Sequence, residues 1–310
     1  MSITLPLFLE VLLGGLLTGV MYALVALGFV LIYKASGIFN FAQGAMVLFA
    51  ALTFVGLMEK GLPVVVALLA TLGVMVLLAV VIERVVLRPL VNQPAISLFM
   101  ATIGVYYVLD GFGQMLWGSE VRALDLGIPQ TPLTLFAHAG AADTDPWKYG
   151  ILVNRFDLVA ALVGALLVAG LALFFQKTRT GRALRAVADD HQAAQSVGIS
   201  LPAIWVIVWS AAGAVALAAG IAWGSKLGVQ SSLALITLKA LPVLILGGFT
   251  SVPGAIVGGL VIGAGENLAE VFLGPYVGGA IETWFAYMLA MLVLLARPQG
   301  LFGEKIIERV

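Results

Sequence analysis

Charged residues and cysteine are both scarce in this chain. Lys, Arg, Asp and Glu make up 10% of the 310 residues, and 16 basic side chains balance 16 acidic ones. A soluble domain carries roughly 25% charged residues, so the composition excludes an ordinary soluble enzyme. The zero net charge argues against nucleic acid as a partner, because such proteins carry a basic excess. The absence of cysteine excludes disulfides, thiolate zinc sites and cysteine nucleophiles.

Catalytic and nucleotide-binding motifs are also missing. The sequence has no G-x-x-x-x-G-K-[ST] stretch, and therefore no P-loop for ATP, and it has no H-E-x-x-H zinc motif. Its two histidines, His138 and His191, both fall in predicted loops, where a solvated side chain is the simplest interpretation. We therefore predict a chain that is not an enzyme and that binds no metal or cofactor itself.

Long apolar segments dominate what is present. Hydrophobic residues make up 62% of the chain, and the mean hydropathy is +1.10. A helix that crosses a bilayer needs about 20 mostly apolar residues. This criterion predicts an all-α, polytopic membrane helix bundle of about eight or nine transmembrane helices in a single domain, residues 1–310. The clearer spans are Leu7–Tyr33, Phe39–Met58, Leu62–Ile82, Ala95–Trp117, Leu158–Gln176, Ala203–Trp223, Gly254–Phe272 and Ala280–Ala296.

The segment Leu233–Phe249 is predicted to be broken or re-entrant, because it contains Lys239 and Pro242 in a glycine-rich context. If it crosses, nine spans place ten of the 16 basic residues on one side, including those of the Lys177–Ser200 loop. The positive-inside rule makes that side cytoplasmic. The N-terminus is then external, the C-terminus is cytoplasmic, and the polar stretch Gly118–Asp157 is an external loop.

Polar side chains inside apolar segments are candidates for a substrate path, because they are costly there without a function. Asn40 and Gln43 lie three residues apart on one helix face. Two interpretations stay open for Asn40: it caps a helix that starts at Phe41, or it belongs to the path.

Lys239, Glu266 and Asn267 are further candidates for the path. Lys239 either marks a pathway or an ion pair, or extends its side chain to the outer interface. Glu266 and Glu270 share a helix face, and they either border a gate or lie solvated near the outer surface.

Glycine pairs at four-residue spacing predict close contacts between membrane helices, since small residues let two backbones approach. The candidates for helix packing are Gly15, Gly19, Gly254, Gly258, Gly259 and Gly263.

The loop Thr180–Pro202 has apolar residues at helical spacing, from Leu184 through Val187 and Ala194 to Val197 or Gly198. We predict a short amphipathic cytoplasmic helix that docks in a groove on a partner protein. A lipid-surface helix and an unstructured loop are the alternatives. The acidic pair Asp189-Asp190 disfavours the lipid surface, where basic residues are expected.

Five stretches in order resemble the LivH-type permease subunits of branched-chain amino acid ABC importers. They are GVMYALVALG at 19–28, IFNFAQG at 38–44, the loop at 181–198, LGGFTSVPGA at 246–255 and ARPQGLF at 296–302. Family members usually have histidine where Gln43 stands, so no role of that imidazole carries over. The loop also resembles the E-A-A-x-x-x-G coupling sequence of ABC importers, with Gln192 in place of the acidic residue.

The resemblance implies a multi-pass protein of the bacterial cytoplasmic membrane and a set of partners. These partners are a second, similar permease, two ATP-binding cassette subunits that bind ATP and Mg, and a periplasmic substrate-binding protein. Alternating access would be driven by the ATPases. The residues expected at the ATPase contact are Arg182, Arg185, Asp189, Asp190, Ala193, Ala194 and Gly198.

The resemblance constrains the substrate class less than it constrains the partner subunits. Branched-chain or other hydrophobic amino acids are the family default, and urea, short amides or small carboxylates are the alternatives that relatives carry. A self-sufficient, ion-coupled secondary transporter would need a titratable centre. The acidic candidates for such a centre are Asp110, Glu266, Glu270 and Glu282.

Overall fold

The computed structural model describes residues 4–91, 93–129, 131–138, 145, 147–189 and 191–303. In these residues the chain forms eleven α-helices and one small antiparallel sheet. The helices are α1 Leu5–Ser36, α2 Gln43–Glu59, α3 Val64–Ile82, α4 Ala95–Trp117, α5 Arg155–Lys177, α6 Arg179–Asp189, α7 His191–Ser196, α8 Leu201–Leu227, α9 Ile236–Gly247, α10 Val252–Val277 and α11 Phe285–Ala296. The strands are β1 Leu133–Leu135 and β2 Ile151–Val153.

Four further turns adjoin these helices. A π-helical turn, Glu83–Leu87, and a 3-10 turn, Arg88–Leu90, continue α3. A 3-10 turn at Ser231–Leu235 leads directly into α9, and another at Ile281–Thr283 precedes α11.

Six of the described helices are long and apolar enough to cross a bilayer: α1, α3 with its extension, α4, α5, α8 and α10. Three shorter apolar segments accompany them, namely α2, residues 231–247, and α11. The polytopic helical bundle predicted from the sequence is therefore confirmed.

Contacts at the helix ends define two opposite faces of the bundle. On the hairpin face, Glu10 of α1 accepts a hydrogen bond from Leu152 N of β2, and Arg122 forms an ion pair with Glu59 at the end of α2. On the α6–α7 face, Lys34 near the end of α1 donates to Thr250 O, just before α10. Residues 231–247, which contain α9, are one of the shorter apolar segments, and α9 itself has 12 residues.

α1 is the central helix and is buried on nearly every side from Met21 to Ile32. It therefore carries no polar stripe, as expected for a helix surrounded by protein. The peripheral α3 is different, because its outward residues, including Val65 and Leu69, are more than 60% exposed and apolar. Such a surface suits contact with lipid rather than water.

Glycines bring α1 and α10 into backbone contact. A Cβ built at Gly19 would lie 2.5 Å from Gly259 O, and one at Gly15 would lie 2.7 Å from Gly263 O. On the opposite side of α10, a Cβ at Gly258 would lie 2.6 Å from Val243 O of α9. Gly254 likewise approaches the end of α9, at Gly247.

The stretch predicted as an external loop contains regular structure. β1 and β2 pair in antiparallel register, with Leu133 opposite Val153. His138 is exposed as predicted, and its Nδ1 lies 3.0 Å from Asp145 Oδ2. The backbone N–H of Trp147 and the ring of His138 hold the pKa of Asp145 below its usual value.

The C-terminal stretch returns to the bundle after α11 ends. Leu301 N donates to Leu246 O at 2.8 Å, and Phe302 N donates to Gly247 O at 3.1 Å. These bonds satisfy carbonyl groups at the end of α9, where the helix itself offers no donors.

Candidate translocation path and coupling element

Two helices, α2 and α9, begin inside the bundle rather than at either face. The Gln43 side chain at the start of α2 packs against Gly28 of α1. Gly28 lies eight residues before the end of α1, or about 12 Å along the helix axis. A Cβ built at Gly44 would lie 2.5 Å from Ala234 O and 2.7 Å from the Thr237 hydroxyl, so the two helix starts touch each other.

The residues assigned to the N-cap positions of these two helices are apolar. Ala42 and Leu235 occupy the N-cap positions without a side-chain hydrogen bond, and neither first turn contains an acidic residue. By contrast, Asn154 caps α5 and Ser251 caps α10 through their side-chain oxygens. A helix start presents free N–H groups and a partial positive charge. Here, however, Asn40 accepts hydrogen bonds from Ala42 N and Gln43 N before α2, and Leu233 O accepts from Ile236 N at the start of α9, so these first N–H groups already have partners.

A cavity of about 280 Å³ borders the start of α9. Its walls come from α1, the segment before α2, α4, and the turn leading into α9, and they are mostly aromatic or aliphatic. The hydroxyl groups of Thr237 and of two tyrosines are its polar side-chain groups. The lining residues are Phe29, Phe39, Phe41, Ile103, Tyr106, Tyr107, Ala234, Leu235, Thr237, Leu238 and Leu241.

Asn40 and Gln43 are fully buried beside this cavity. Asn40 Oδ1 accepts from Ala42 N at 3.0 Å, while α2 begins at Gln43. The regular helix therefore starts two residues later than expected, and Asn40 caps the turn that leads into it, as one of the two interpretations predicts. Gln43 Nε2 has no hydrogen-bond partner among the described residues.

Glu266 lies elsewhere, in the contact between α10 and α1. It is 2% exposed, which rules out the solvated alternative, and the Tyr22 hydroxyl donates to its Oε2 at 3.0 Å. Tyr22 stacks on Trp223 of α8 at 5.3 Å between ring centroids. Asn267 also faces α1, with Nδ2 lying 3.7 Å from a Cβ built at Gly14.

Lys239 forms an ion pair with Glu282, with Nζ 3.9 Å from Oε1. The ion-pair interpretation of Lys239 thus fits better than extension to the interface. Glu270 accepts hydrogen bonds from Ala280 N and Glu282 N, both at 3.1 Å, and so holds the turn before α11.

The predicted cytoplasmic coupling segment forms two helices, α6 and α7, where one was expected. Leu184 and Val187 of α6 are buried against the bundle, and Ala194 of α7 is also buried. Val197, expected on the same apolar stripe, is 75% exposed, so that part of the stripe was wrong. Gly198 ends the segment with a φ of 85°, which suits glycine.

The outward side of this segment is polar. Arg182, Arg185, Asp189 and Ala193 are exposed, and Arg185 also donates to Phe175 O of α5 at 2.8 Å. Asp190 lies outside the described residues, as do the side chains of His191 and Gln192.

Comparison with known proteins decides the family. Residues 11–297 match the profile of the family described as the permease component of branched-chain amino acid transport systems. The chain belongs to this family. It is 29% identical to the high-affinity branched-chain amino acid transport system permease protein BraD of Pseudomonas aeruginosa, over 98% of each chain. It is 27% identical to LivH of Escherichia coli, also over 98% of each chain.

A more distant relative has a different named role. The autoinducer 2 import system permease protein LsrC of Salmonella paratyphi B is 29% identical over 65% of this chain and 53% of its own length. Proteins similar to this permease are thus named for more than one solute.

The five residues predicted for the substrate path do not form one group in the permease. Glu266 lies at the level of Tyr22 and Gln43 at the level of Gly28, about 9 Å farther along α1. None of the five is among the described residues that line the cavity. The lining aromatics Phe39 and Phe41 were missed as functional residues, although they flank Asn40 in the quoted IFNFAQG stretch.

Proposed function

We propose that this permease forms half of the membrane path of an ATP-binding cassette importer that takes hydrophobic amino acids, above all branched-chain ones, into the cytoplasm. The observation that carries the proposal is the family match over residues 11–297. A second permease subunit completes the path, and a periplasmic binding protein delivers the solute. Two ATPase subunits bind ATP and Mg and drive alternating access, and no cofactor is needed on this chain.

The α6–α7 segment is the coupling element in this proposal. It packs on α1 and α5 through an apolar side and presents Arg182, Asp189 and Ala193 outward. Its exposed side is therefore the part available to a groove on a partner protein, since the apolar side is already buried against the bundle. The α6–α7 face is then cytoplasmic, which agrees with the distribution of basic residues, and the C-terminus lies in the cytoplasm of a bacterial cell.

The test is reconstitution of the permease with the ATPases, second permease and binding protein encoded beside it. We expect ATP-dependent uptake of labelled leucine into proteoliposomes, and no uptake with a non-hydrolysable nucleotide. ATP-dependent uptake of urea, a short amide or a small carboxylate instead of leucine would support the ATP-driven importer but would replace the proposed substrate. Uptake that collapses with the proton gradient and survives ATP depletion would show the ion-coupled alternative and defeat the proposal.

A further inference from the structure

Two basic side chains from different helices share a cavity at the α6–α7 face of the bundle. Lys34 lies two residues before the end of α1, and Arg185 belongs to α6. Both line a cavity of about 240 Å³, and both also line a neighbouring cavity of about 250 Å³. We propose that Lys34 and Arg185 bind the phosphate group of an anionic phospholipid, which joins α6 to α1. The inference concerns a lipid and is independent of the solute that the importer carries.

The positive charge at this place is only partly balanced by the protein. Among the described lining residues, the first cavity has no acidic side chain and the second has only Asp189. Neither Lys34 nor Arg185 forms an ion pair with a carboxylate of the described residues. Two cations that face one carboxylate leave a net positive charge, which attracts an anion.

Both cations keep donors available for a ligand. Within the described part of the chain, Lys34 Nζ forms one long hydrogen bond, to Thr250 O at 3.5 Å. Arg185 donates from Nη1 to Phe175 O of α5 at 2.8 Å, whereas its Nε and Nη2 form no hydrogen bond with the described residues. The bond to Phe175 O holds the guanidinium group beside the cavity. Ammonium and guanidinium groups form strong, charge-assisted hydrogen bonds with phosphate oxygens.

The level of the cavity in the bundle favours a lipid over a free phosphate. The two cations lie where α1 and α5 end. The cavity wall also contains Leu31, about 4.5 Å deeper along α1. Leu173 and Phe174, next to the lining residue Phe175 of α5, are apolar and exposed. A phosphate at the helix ends and acyl chains along apolar helix sides match a phospholipid, and basic pockets between membrane helices bind acidic lipid headgroups in this way.

Native mass spectrometry of the full-length permease in a neutral detergent tests the proposal. Phosphatidylglycerol carries a net negative charge, whereas phosphatidylcholine has the same phosphate but no net charge. We expect one phosphatidylglycerol to bind about tenfold more tightly than phosphatidylcholine, the factor that one hydrogen bond to a charged group contributes. Equal affinity for the two lipids would overturn the proposal.

Substitution of either cation distinguishes this site from a general attraction to acidic lipids. Lys34→Gln and Arg185→Gln should each lower the affinity for phosphatidylglycerol by about tenfold, since each removes a charged donor. The matched controls are Lys177→Gln and Arg182→Gln, at exposed basic residues of the same face that do not line the two cavities. These controls should keep the wild-type affinity. An equal loss in K177Q and R182Q would mean that the basic face as a whole attracts the lipid, and would contradict the site.

Lys34→Arg controls for a loss of binding through misfolding, because it keeps the cation on α1. It should retain the affinity for phosphatidylglycerol, and all variants should show the wild-type unfolding temperature without added lipid. Binding that is lost in K34R as well as in K34Q would overturn the role of the charge.

Inorganic phosphate distinguishes the two sources of the phosphate group. At the same concentration as the lipid, it should not displace phosphatidylglycerol, because it lacks the acyl chains that pack on the apolar part of the site. Full displacement would assign the cavity to a free phosphate and overturn the lipid.

Discussion

The helix pair α1 and α10 packs differently from the helix pair α2 and α9. α1 and α10 are continuous helices of 32 and 26 residues, and their glycines bring backbone against backbone. α2 and α9 have 17 and 12 residues and start next to each other inside the bundle. The continuous pair packs backbone on backbone, while the starts of the short pair lie beside a cavity that Phe29 of α1 also lines. The difference teaches that close backbone contact and open space occur at different levels along α1, at Gly15 and Gly19 and at Phe29 respectively.

The largest expected effect is on the continuous pair. Gly19→Leu forces a side chain into the backbone of α10, where even a Cβ would lie 2.5 Å from Gly259 O. Overpacking of a well-packed core costs about 1–3 kcal/mol or more, and here no flexible side chain can move away. We expect loss of folded permease in detergent, measured by thermal unfolding and size exclusion.

The matched control for this variant is Gly170→Leu on α5, where a Cβ has open space around it. It should unfold at the wild-type temperature. A stable G19L permease would show that the α1–α10 contact is looser than its geometry indicates.

The next largest effect is expected at the α6–α7 coupling element, which packs on α1 of the continuous pair through α6. Ala193→Trp enlarges an exposed position of α7 and should weaken coupling to the ATPases, with substrate-stimulated ATP hydrolysis reduced by about tenfold. A coupling free energy of 1–3 kcal/mol corresponds to such factors. The thermal stability of the permease should be unchanged.

Ala194→Trp is the control, because Ala194 is buried in the bundle. It should lower the stability of the permease itself. Full substrate-stimulated ATP hydrolysis in A193W would remove α7 from the ATPase contact.

A smaller effect is expected where the two short helices meet. Gly44→Ala adds a Cβ that would lie 2.5 Å from Ala234 O and so pushes α2 away from the start of α9. We expect uptake to fall several-fold with a loss of stability of about 1–2 kcal/mol. The comparison is Gly104→Ala, on α4 with open space, which should keep both properties. Equal uptake in the two variants would mean that the junction of α2 and α9 does not matter for transport.

The smallest effect is expected for Glu266→Gln, at a residue that belongs to the continuous pair by its contact with Tyr22. Glu266→Gln keeps an oxygen for the Tyr22 hydroxyl and should retain stability and ATP-driven uptake. Glu266→Leu leaves that buried hydroxyl unpaired and should lower stability by about 1–3 kcal/mol, measured by thermal unfolding. If E266Q keeps its stability and loses uptake, the carboxylate charge takes part in transport, as the ion-coupled alternative requires.

Sequence reasoning recovered the membrane bundle, the nine apolar segments and the irregularity of Leu233–Phe249. Hydropathy and helical periodicity are local properties, so they can be read directly along the chain. Gly19 and Gly259 were recognised as packing residues for the same reason, since their spacing alone marks a small-residue face. The match to the permease family follows from the same local stretches and needs no coordinates.

Tertiary structure decided which of these faces meet. No local pattern shows that Gly19 packs on Gly259, that Glu266 turns to Tyr22, or that Phe39 and Leu238 line one cavity. These contacts join residues far apart in sequence, and they depend on how apolar helices with similar surfaces pack together. Composition and periodicity therefore determined that the chain is a bundle of membrane helices, and its motif stretches carried the resemblance to the permease family, whereas long-range packing decided where α2 and α9 begin.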